Sequence, residues 1–146
     1  MNPQDAFYQT VHDHPGSAES LAPRMGMSAA VLRNKANPNN EYNKPTLGDV
    51  DKAMALTGDY RVLDALAANH GGIFVRMDKC EATTGVGLLG QITHVWSVEG
   101  DVGRCIEEML DDGRIEPHEL ERVKEAVYHL QQSLAELVQS FEGAAR

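Results

Sequence analysis

The sequence predicts an all-α fold. Hydrophobic residues make up 42 % of the chain but aromatic residues only 5 %. Apolar positions are therefore mostly Ala, Leu, Val and Met, which favour helices over strands. Apolar residues also recur at spacings of three and four, which indicates helices with one buried face. A length of 146 residues allows a small domain with an appended helical bundle.

Five helices are predicted in the N-terminal half, separated by glycine, proline and asparagine turns. Ser17, Ser28 and Thr46 are the expected N-caps of the second, third and fourth helices. Gly26 and Gly58 are expected to end the second and fourth helices. The five helices are expected at about residues 5–12, 17–25, 29–35, 46–57 and 60–69.

The C-terminal half is predicted to contain three helices, at about residues 85–98, 102–110 and 117–141. Residues 73–77 (IFVRM) are β-prone, and they read either as an extended linker or as a small strand. The predicted organisation is a first domain at 1–72, a linker or short extended segment at 73–84, and a helical region at 85–146.

Residues 18–37 fit the twenty-residue helix-turn-helix pattern of phage repressors at most of its diagnostic places. Ala22 lies where the two helices cross closely, and Gly26 lies at the turn, where a positive φ favours glycine. Two residues fit less well. Lys35 occupies a place that is usually apolar, and Pro23 is tolerated only if its helix begins late, near Ser20.

This motif predicts a surface that binds double-stranded DNA. Arginine and asparagine can each make two hydrogen bonds to a purine in the major groove, whereas lysine, tyrosine and asparagine suit phosphate contacts. The alternative is an ordinary helical hairpin with a glycine turn. The residues expected to face the major groove are Ser28, Ala29, Arg33, Asn34 and Asn37. Those expected to contact phosphates are Lys35, Asn39, Asn40, Tyr42 and Lys44.

The formal net charge of −9 opposes binding to DNA, but its distribution is uneven. Residues 1–70 contain six Lys/Arg and eight Asp/Glu, which gives −2, and residues 71–146 contain seven and fourteen, which gives −7. Residues 24–44 contain four basic residues and one acidic residue. Because phosphate binding needs only a local basic face, DNA binding is compatible with this charge. Modest affinity per subunit predicts a need for self-association.

The last predicted helix contains apolar residues at spacings of 3, 4, 3, 4, 3 and 4. This heptad seam predicts an oligomerisation region, giving a dimer or a tetramer. The alternative is the inner face of a monomeric helical bundle, which uses the same packing. The seam consists of Leu120, Val123, Val127, Leu130, Leu134, Leu137 and Phe141.

Three segments resemble the CII-like regulatory proteins of P2-type temperate phages. They are residues 31–38 (VLRNKANP), 56–67 (LTGDYRVLDALA) and 112–115 (DGRI). Ala36 and Pro23 depart from the family pattern, which leaves the operator sequence open. The resemblance implies a cytoplasmic, DNA-binding, oligomeric regulator of the lysis–lysogeny decision, expected to be an activator. Host RNA polymerase is then a candidate partner. A repressor, or an excision or anti-repressor protein acting through protein contacts, remains an alternative.

No other activity is expected from the residues. Cys80 and Cys105 stand apart, without a CxxC pair, so we expect no metal site and no cofactor. No group of side chains suggests a catalytic centre, so an enzyme is the least favoured reading. The N-terminus lacks the pattern of a signal peptide, and no apolar run reaches the length of a membrane span. We therefore expect a location in the cytoplasm of the bacterial host.

Overall fold

The computed structural model describes residues 1–77 and 85–145. Every regular element in these residues is an α-helix, as expected. The chain divides into two units, Met1–Phe74 and Val75–Arg146. The helices are α1 (Pro3–Asp13), α2 (Ser17–Met25), α3 (Ala29–Ala36), α4 (Leu47–Thr57), α5 (Arg61–Asn69), α6 (Val86–Leu110) and α7 (Pro117–Ala144).

The first unit packs five short helices around one small core. Phe7 of α1, Leu21 of α2 and Leu32 of α3 are fully buried at its centre. Full burial of a side chain of this size stabilises a fold by about 1.5–3 kcal/mol. Alanines fill many of the remaining core positions, which lets the helices approach closely. The buried alanines are Ala6, Ala18, Ala22, Ala36, Ala53 and Ala65.

The caps of α3 and α4 confirm two of the three predicted N-caps. The Ser28 hydroxyl accepts a hydrogen bond from Val31 N at 3.3 Å. Thr46 and Asp49 form a reciprocal capping box at the start of α4. Gly58 ends that helix in the left-handed conformation, with φ of 69°. These contacts satisfy backbone groups that a helix end leaves without partners.

The start of α2 differs from the prediction. Its N-cap is Gly16, with φ of 76°, and Ser17, the first residue of α2, also has a positive φ, of 49°. The Ser17 hydroxyl instead donates to the carbonyl of His12 at 2.9 Å. Ser17 thus satisfies the end of α1 rather than the start of α2.

Pro23 lies inside α2, not in its first turn as expected. It cannot donate a hydrogen bond to the carbonyl of Glu19, four residues earlier. Pro23 is exposed, and α2 ends only two residues later at Met25. The helix is held instead by its buried face, which includes Leu21 and Ala22.

The second unit contains two long helices. The expected break near residues 98–102 is absent, because α6 runs without interruption from Val86 to Leu110. Gly100 and Gly103 each cost about 1 kcal/mol in a helix interior. The apolar residues of α6 continue at spacings of three and four through the glycines. Their packing against α7 therefore offsets this cost. Only residues 111–116 join the helices, so the pair is antiparallel.

Residues 73–77 contain no strand, so for them the small-strand alternative is wrong, and their role as a linker stays a prediction. Among the described residues there is no strand whose backbone hydrogen bonds this β-prone segment could join. The rest of the predicted linker, residues 78–84, lies outside the described residues.

Candidate nucleic-acid interface

The turn between α2 and α3 depends on Gly26. Its φ is 80°, and its N–H donates to the carbonyls of Ala22 and Pro23. A Cβ at this position would meet only Lys52 Nζ, at 3.8 Å. Glycine is therefore required here for its backbone conformation and not for lack of space. Lys52 Nζ also donates to the carbonyl of Met25 at 2.8 Å, so α4 helps to fix the end of α2.

Helix α3 buries one face and exposes the other. Leu32 and Ala36 lie in the core, 0 % and 2 % exposed. Helical spacing then directs Ala30, Val31 and Asn34 away from the core, and all three are exposed. The outer face of this eight-residue helix after a glycine turn is therefore the candidate for contact with a nucleic acid.

The predicted base-reading residues do not all lie on this outer face. Ser28, Arg33, Asn34 and Asn37 are exposed. Ala29 is half-buried and packs against the core, because it shares a face with Leu32 and Ala36. Ala29 therefore faces the wrong way for the contact that the sequence suggested.

Ala30 and Val31 were missed by the sequence reasoning. Both are apolar and exposed beside Asn34, and methyl groups of this kind can contact the methyl group of thymine. Counting outward from Leu32 by helical spacing would have found them. Base-reading residues were expected to be mainly polar, so these two apolar residues were not among those predicted.

Arg33 is engaged with a carboxylate of the preceding helix. Its Nη1 donates to Glu19 Oε1, and both side chains remain more than half exposed. Glu19 lies in the first turn of α2. The contact joins one side of the exposed face of α3 to the start of α2.

Lys35 lies in a more enclosed pair. Its Nζ is 2.5 Å from Asp49 Oδ2, and its side chain is only 18 % exposed. Partial burial by itself would raise the pKa of Asp49. Hydrogen bonds from Lys35 and from Thr46 outweigh this effect, so the pKa lies below its ordinary value. The charge of Lys35 is thus largely directed into the protein.

The loop between α3 and α4 is ordered by asparagine side chains. Asn37 Oδ1 accepts from Asn39 N, and Asn40 Oδ1 accepts from Tyr42 N, both at 3.0 Å. Such turns fix a loop without regular structure. The loop presents Tyr42, 98 % exposed, and Lys44, whose Nζ donates to the carbonyl of Pro38 at 3.2 Å. An aromatic ring and a cation held beside α3 suit contact with a DNA backbone.

The electrostatics of this surface follow from these pairings. Of the four basic residues between 24 and 44, Arg33 pairs with Glu19 and Lys35 with Asp49. In the described part of the chain, neither Arg24 nor Lys44 has a carboxylate within 4.0 Å. The net positive charge available to phosphates is therefore small.

In the second unit, the predicted seam of α7 is split between two faces. Its half-buried members, such as Leu130 and Leu137, lie on the same face of α7 as the buried Ser133 and Ser140. The small serines allow α7 to lie close to α6. Three other members remain exposed, and they are Leu120 (40 %), Leu134 (45 %) and Phe141 (46 %).

A groove of about 550 Å³ lies along one side of the α6–α7 pair. Charged and polar side chains such as Asp101, Arg122 and Glu125 line it together with the apolar Val98 and Ala126. Among the residues that the structure describes, no three His, Cys, Asp or Glu side chains are grouped to hold a metal ion. Nor does any helix in that part of the chain combine the length and apolar character needed to cross a membrane.

A family model for phage regulatory protein CII (CP76) matches residues 2–144. The chain belongs to the phage regulatory protein CII family. The match confirms the resemblance seen in residues 31–38, 56–67 and 112–115, and it covers both structural units. A search of curated proteins returned no match. Family membership supports a phage regulator, and the exposed face of α3 is its best candidate for a nucleic-acid contact.

Proposed function

We propose that this CII-family chain is a sequence-specific DNA-binding regulator of transcription, acting as an activator in the lysis–lysogeny decision. The observation that carries the proposal is the outer face of α3. Ala30, Val31 and Asn34 are exposed together on a helix whose opposite face is buried and whose start is fixed by Gly26. Asn34 would read adenine, and the two apolar side chains would contact thymine methyl groups.

Phosphate contacts would flank this helix. Lys44 and Tyr42 lie on the ordered loop that follows α3, and Arg24 lies near the end of α2. Few cations are available, so non-specific affinity should be weak, with Kd of about 10⁻⁴ to 10⁻⁶ M at physiological salt. Tighter binding would require linked copies, which raise effective affinity by about 10²- to 10⁴-fold.

The α6–α7 pair supplies an apolar surface for such linkage. Trp96 of α6 is 63 % exposed, and Leu134 of α7 is 45 % exposed. Each lies one residue after an inward-facing position, Val95 and Ser133. In an antiparallel pair of helices, the residue that follows an inward-facing position points toward the same side of the pair on both helices. The exposed apolar residues that follow this rule include Leu89, Trp96, Ile106, Leu110, Leu120, Leu134, Val138 and Phe141.

The opposite side of the pair carries the groove, whose lining includes charged and polar side chains. Its lining residues His94, Asp101, Arg122, Glu125 and His129 lie one residue before inward-facing positions. The two sides therefore differ in character, as expected for a helical pair that packs against a second copy through its apolar side. Few residues of the unit are buried, and a two-helix pair with so small a core gains stability from such packing.

The proposed assembly presents two copies of α3 to successive major grooves, about one helical turn or a multiple of it apart. A dimer of α6–α7 pairs would form a four-helix bundle, and further association would give a tetramer. Host RNA polymerase is the proposed protein partner of the DNA-bound activator in the bacterial cytoplasm. No catalytic step enters this function.

Selection from a pool of random duplexes tests the proposal. The purified full chain is incubated with the pool at about 0.1 M salt, and the bound duplexes are amplified and sequenced over several rounds. We expect enrichment of paired half-sites with a fixed spacing. A chain carrying Gly26→Val, which strains the turn, is the control for α2–α3 geometry. Absence of enrichment with the wild-type chain would contradict the proposal.

A further inference from the structure

Arg33 and Glu19 form a contact that links α3 to α2, the helix that precedes it. Arg33 lies at the edge of the outer face of α3, and Glu19 lies in the first turn of α2. Their contact uses Nη1 of the guanidinium. In the described residues, no partner is found for Nη2 or Nε. One edge of the planar group is therefore held by the protein while another remains available.

A guanidinium on a long side chain has many rotamers, and fixing it costs entropy at the moment of binding. A carboxylate that already holds one N–H reduces this cost and fixes the plane of the group. Bidentate reading of guanine requires such a plane, because two N–H groups must meet O6 and N7 together. Fixed planar recognition is also the property that distinguishes arginine from lysine.

From this geometry we infer that Glu19 is a positioning residue which sets the specificity of Arg33 for a guanine in the major groove. The inference rests on the proposed DNA-binding function. Glu19 has a second effect through its charge. It offsets the charge of Arg33 in the free chain and repels phosphates, which weakens binding to non-specific duplex. Both effects raise the ratio of specific to non-specific binding.

The experiment measures Kd for the selected operator, for the operator with each guanine in turn replaced by 7-deazaguanine, and for an unrelated duplex. Loss of N7 removes one of the two hydrogen bonds that a bidentate arginine makes. With the wild-type chain we expect one guanine whose replacement weakens binding markedly, within the range of about 5- to 160-fold known for such contacts. Arg33→Ala should show no dependence on that guanine.

Glu19→Ala is the decisive variant, since it removes the oxygen that accepts from Arg33, whereas a glutamine amide oxygen could still accept the same hydrogen bond. We expect its dependence on that guanine to fall to about twofold or less, while its affinity for the unrelated duplex rises. Glu41→Ala is the matched control, because it removes one exposed carboxylate from the neighbouring loop without touching Arg33. It should raise non-specific affinity and leave the guanine dependence intact. Thermal unfolding of each variant reports any loss of fold.

Two outcomes would overturn the inference while leaving the proposed function in place. One is an unchanged guanine dependence in Glu19→Ala, and the other is a wild-type operator in which no guanine depends on Arg33. If Glu41→Ala lowers the guanine dependence as much as Glu19→Ala does, the effect is one of charge alone and the positioning role is wrong. Failure of the wild-type chain to select any operator would overturn the proposed function, and the inference with it.

Discussion

Lys35 Nζ and Asp49 Oδ2 lie 2.5 Å apart, joining the last turn of α3 to the first turn of α4. Asp49 also accepts from Thr46 N and Thr46 Oγ1, each at 2.8 Å. One carboxylate thus completes a capping box and an ion pair at once. Lys35 lies just before the loop at residues 37–46, and Thr46 is its last residue. Asp49 therefore holds both ends of that loop beside α3.

The Lys35–Asp49 pair predicts a dependence of stability on pH. The pKa of Asp49 is lower in the folded chain than its ordinary value of about 3.9. Such a group stabilises the fold above its unfolded pKa, and the contribution is lost as the pH falls through the folded pKa. We expect Asp49→Asn to lower the free energy of unfolding at pH 7, and the difference from wild type to shrink below about pH 4.

Urea unfolding at pH 7, 5, 4 and 3 checks this expectation. Asp13 contributes an effect of the same sign, because a hydrogen bond from Arg61 lowers its pKa. Asp13 is present in both wild type and Asp49→Asn, so its contribution cancels in the difference between their free energies of unfolding. A difference in unfolding free energy that is the same at pH 7 and pH 3 would show that the pair does not depend on ionised Asp49.

Two lysines near α3 should behave differently when they are replaced. Lys44→Ala should weaken specific and non-specific DNA binding about equally and lower the salt slope by about one, because Lys44 is exposed on the loop. Lys35→Ala should leave the salt slope nearly unchanged and lower stability instead, because its Nζ is held by Asp49. Gel shifts at several salt concentrations, with urea unfolding of both variants, distinguish the roles. Equal salt slopes for Lys44→Ala and wild type would remove Lys44 from the backbone contacts.

Ala30→Asp distinguishes an effect on the fold of α3 from an effect on its proposed contact with DNA. Ala30 is exposed in the first turn of α3, where a carboxylate suits the helix dipole. The variant should therefore unfold at the same temperature as wild type or slightly above it. Its carboxylate would face DNA, so specific affinity should fall at least about tenfold. Ala68→Asp, at an exposed position in the last turn of α5, is the control for an added charge away from α3, and its DNA affinity should match wild type. Wild-type DNA affinity in Ala30→Asp would show that the outer face of α3 is not the contact surface.

Leu134→Asp tests the apolar side of the α6–α7 pair. Leu134 is exposed on that side, so the change should spare the pair itself but place an unpaired charge in an interface between copies. Sedimentation equilibrium should show a lower mass than wild type at the same concentration. His129→Asp, on the side of α7 that lines the groove, should keep the wild-type mass. Equal masses for all three chains would move self-association elsewhere.

Local signals in the sequence were sufficient for most of the helical fold. Ser28, Thr46, Gly26 and Gly58 lie at helix ends, where capping and left-handed backbone depend on one or two neighbouring residues. The match of Ala22 to a close helix crossing also agrees with its full burial. Such features need no knowledge of distant contacts.

The differences arise where contacts between helices decide the structure. Gly100 and its neighbours suggest a break, but packing against α7 keeps α6 continuous. The heptad seam of α7 was recognised, yet its division between an inward face and an exposed face depends on where α6 lies. Lys35 looked like a free cation because Asp49 is fourteen residues away. The orientation of Ala29 similarly required the position of the core.

The most direct test of DNA reading by α3 is dimethyl sulfate and hydroxyl-radical footprinting on the selected operator, with wild type, Asn34→Ala and the exposed control Asn69→Ala. We predict that wild type and Asn69→Ala protect two major-groove half-sites on one face of the duplex, with centres about one helical turn or a multiple apart. Asn34→Ala should lose about 1–3 kcal/mol of specific binding and the preference for adenine at one position in each half-site. Identical footprints and affinities for wild type and Asn34→Ala, or protection confined to the minor groove, would contradict DNA reading by α3.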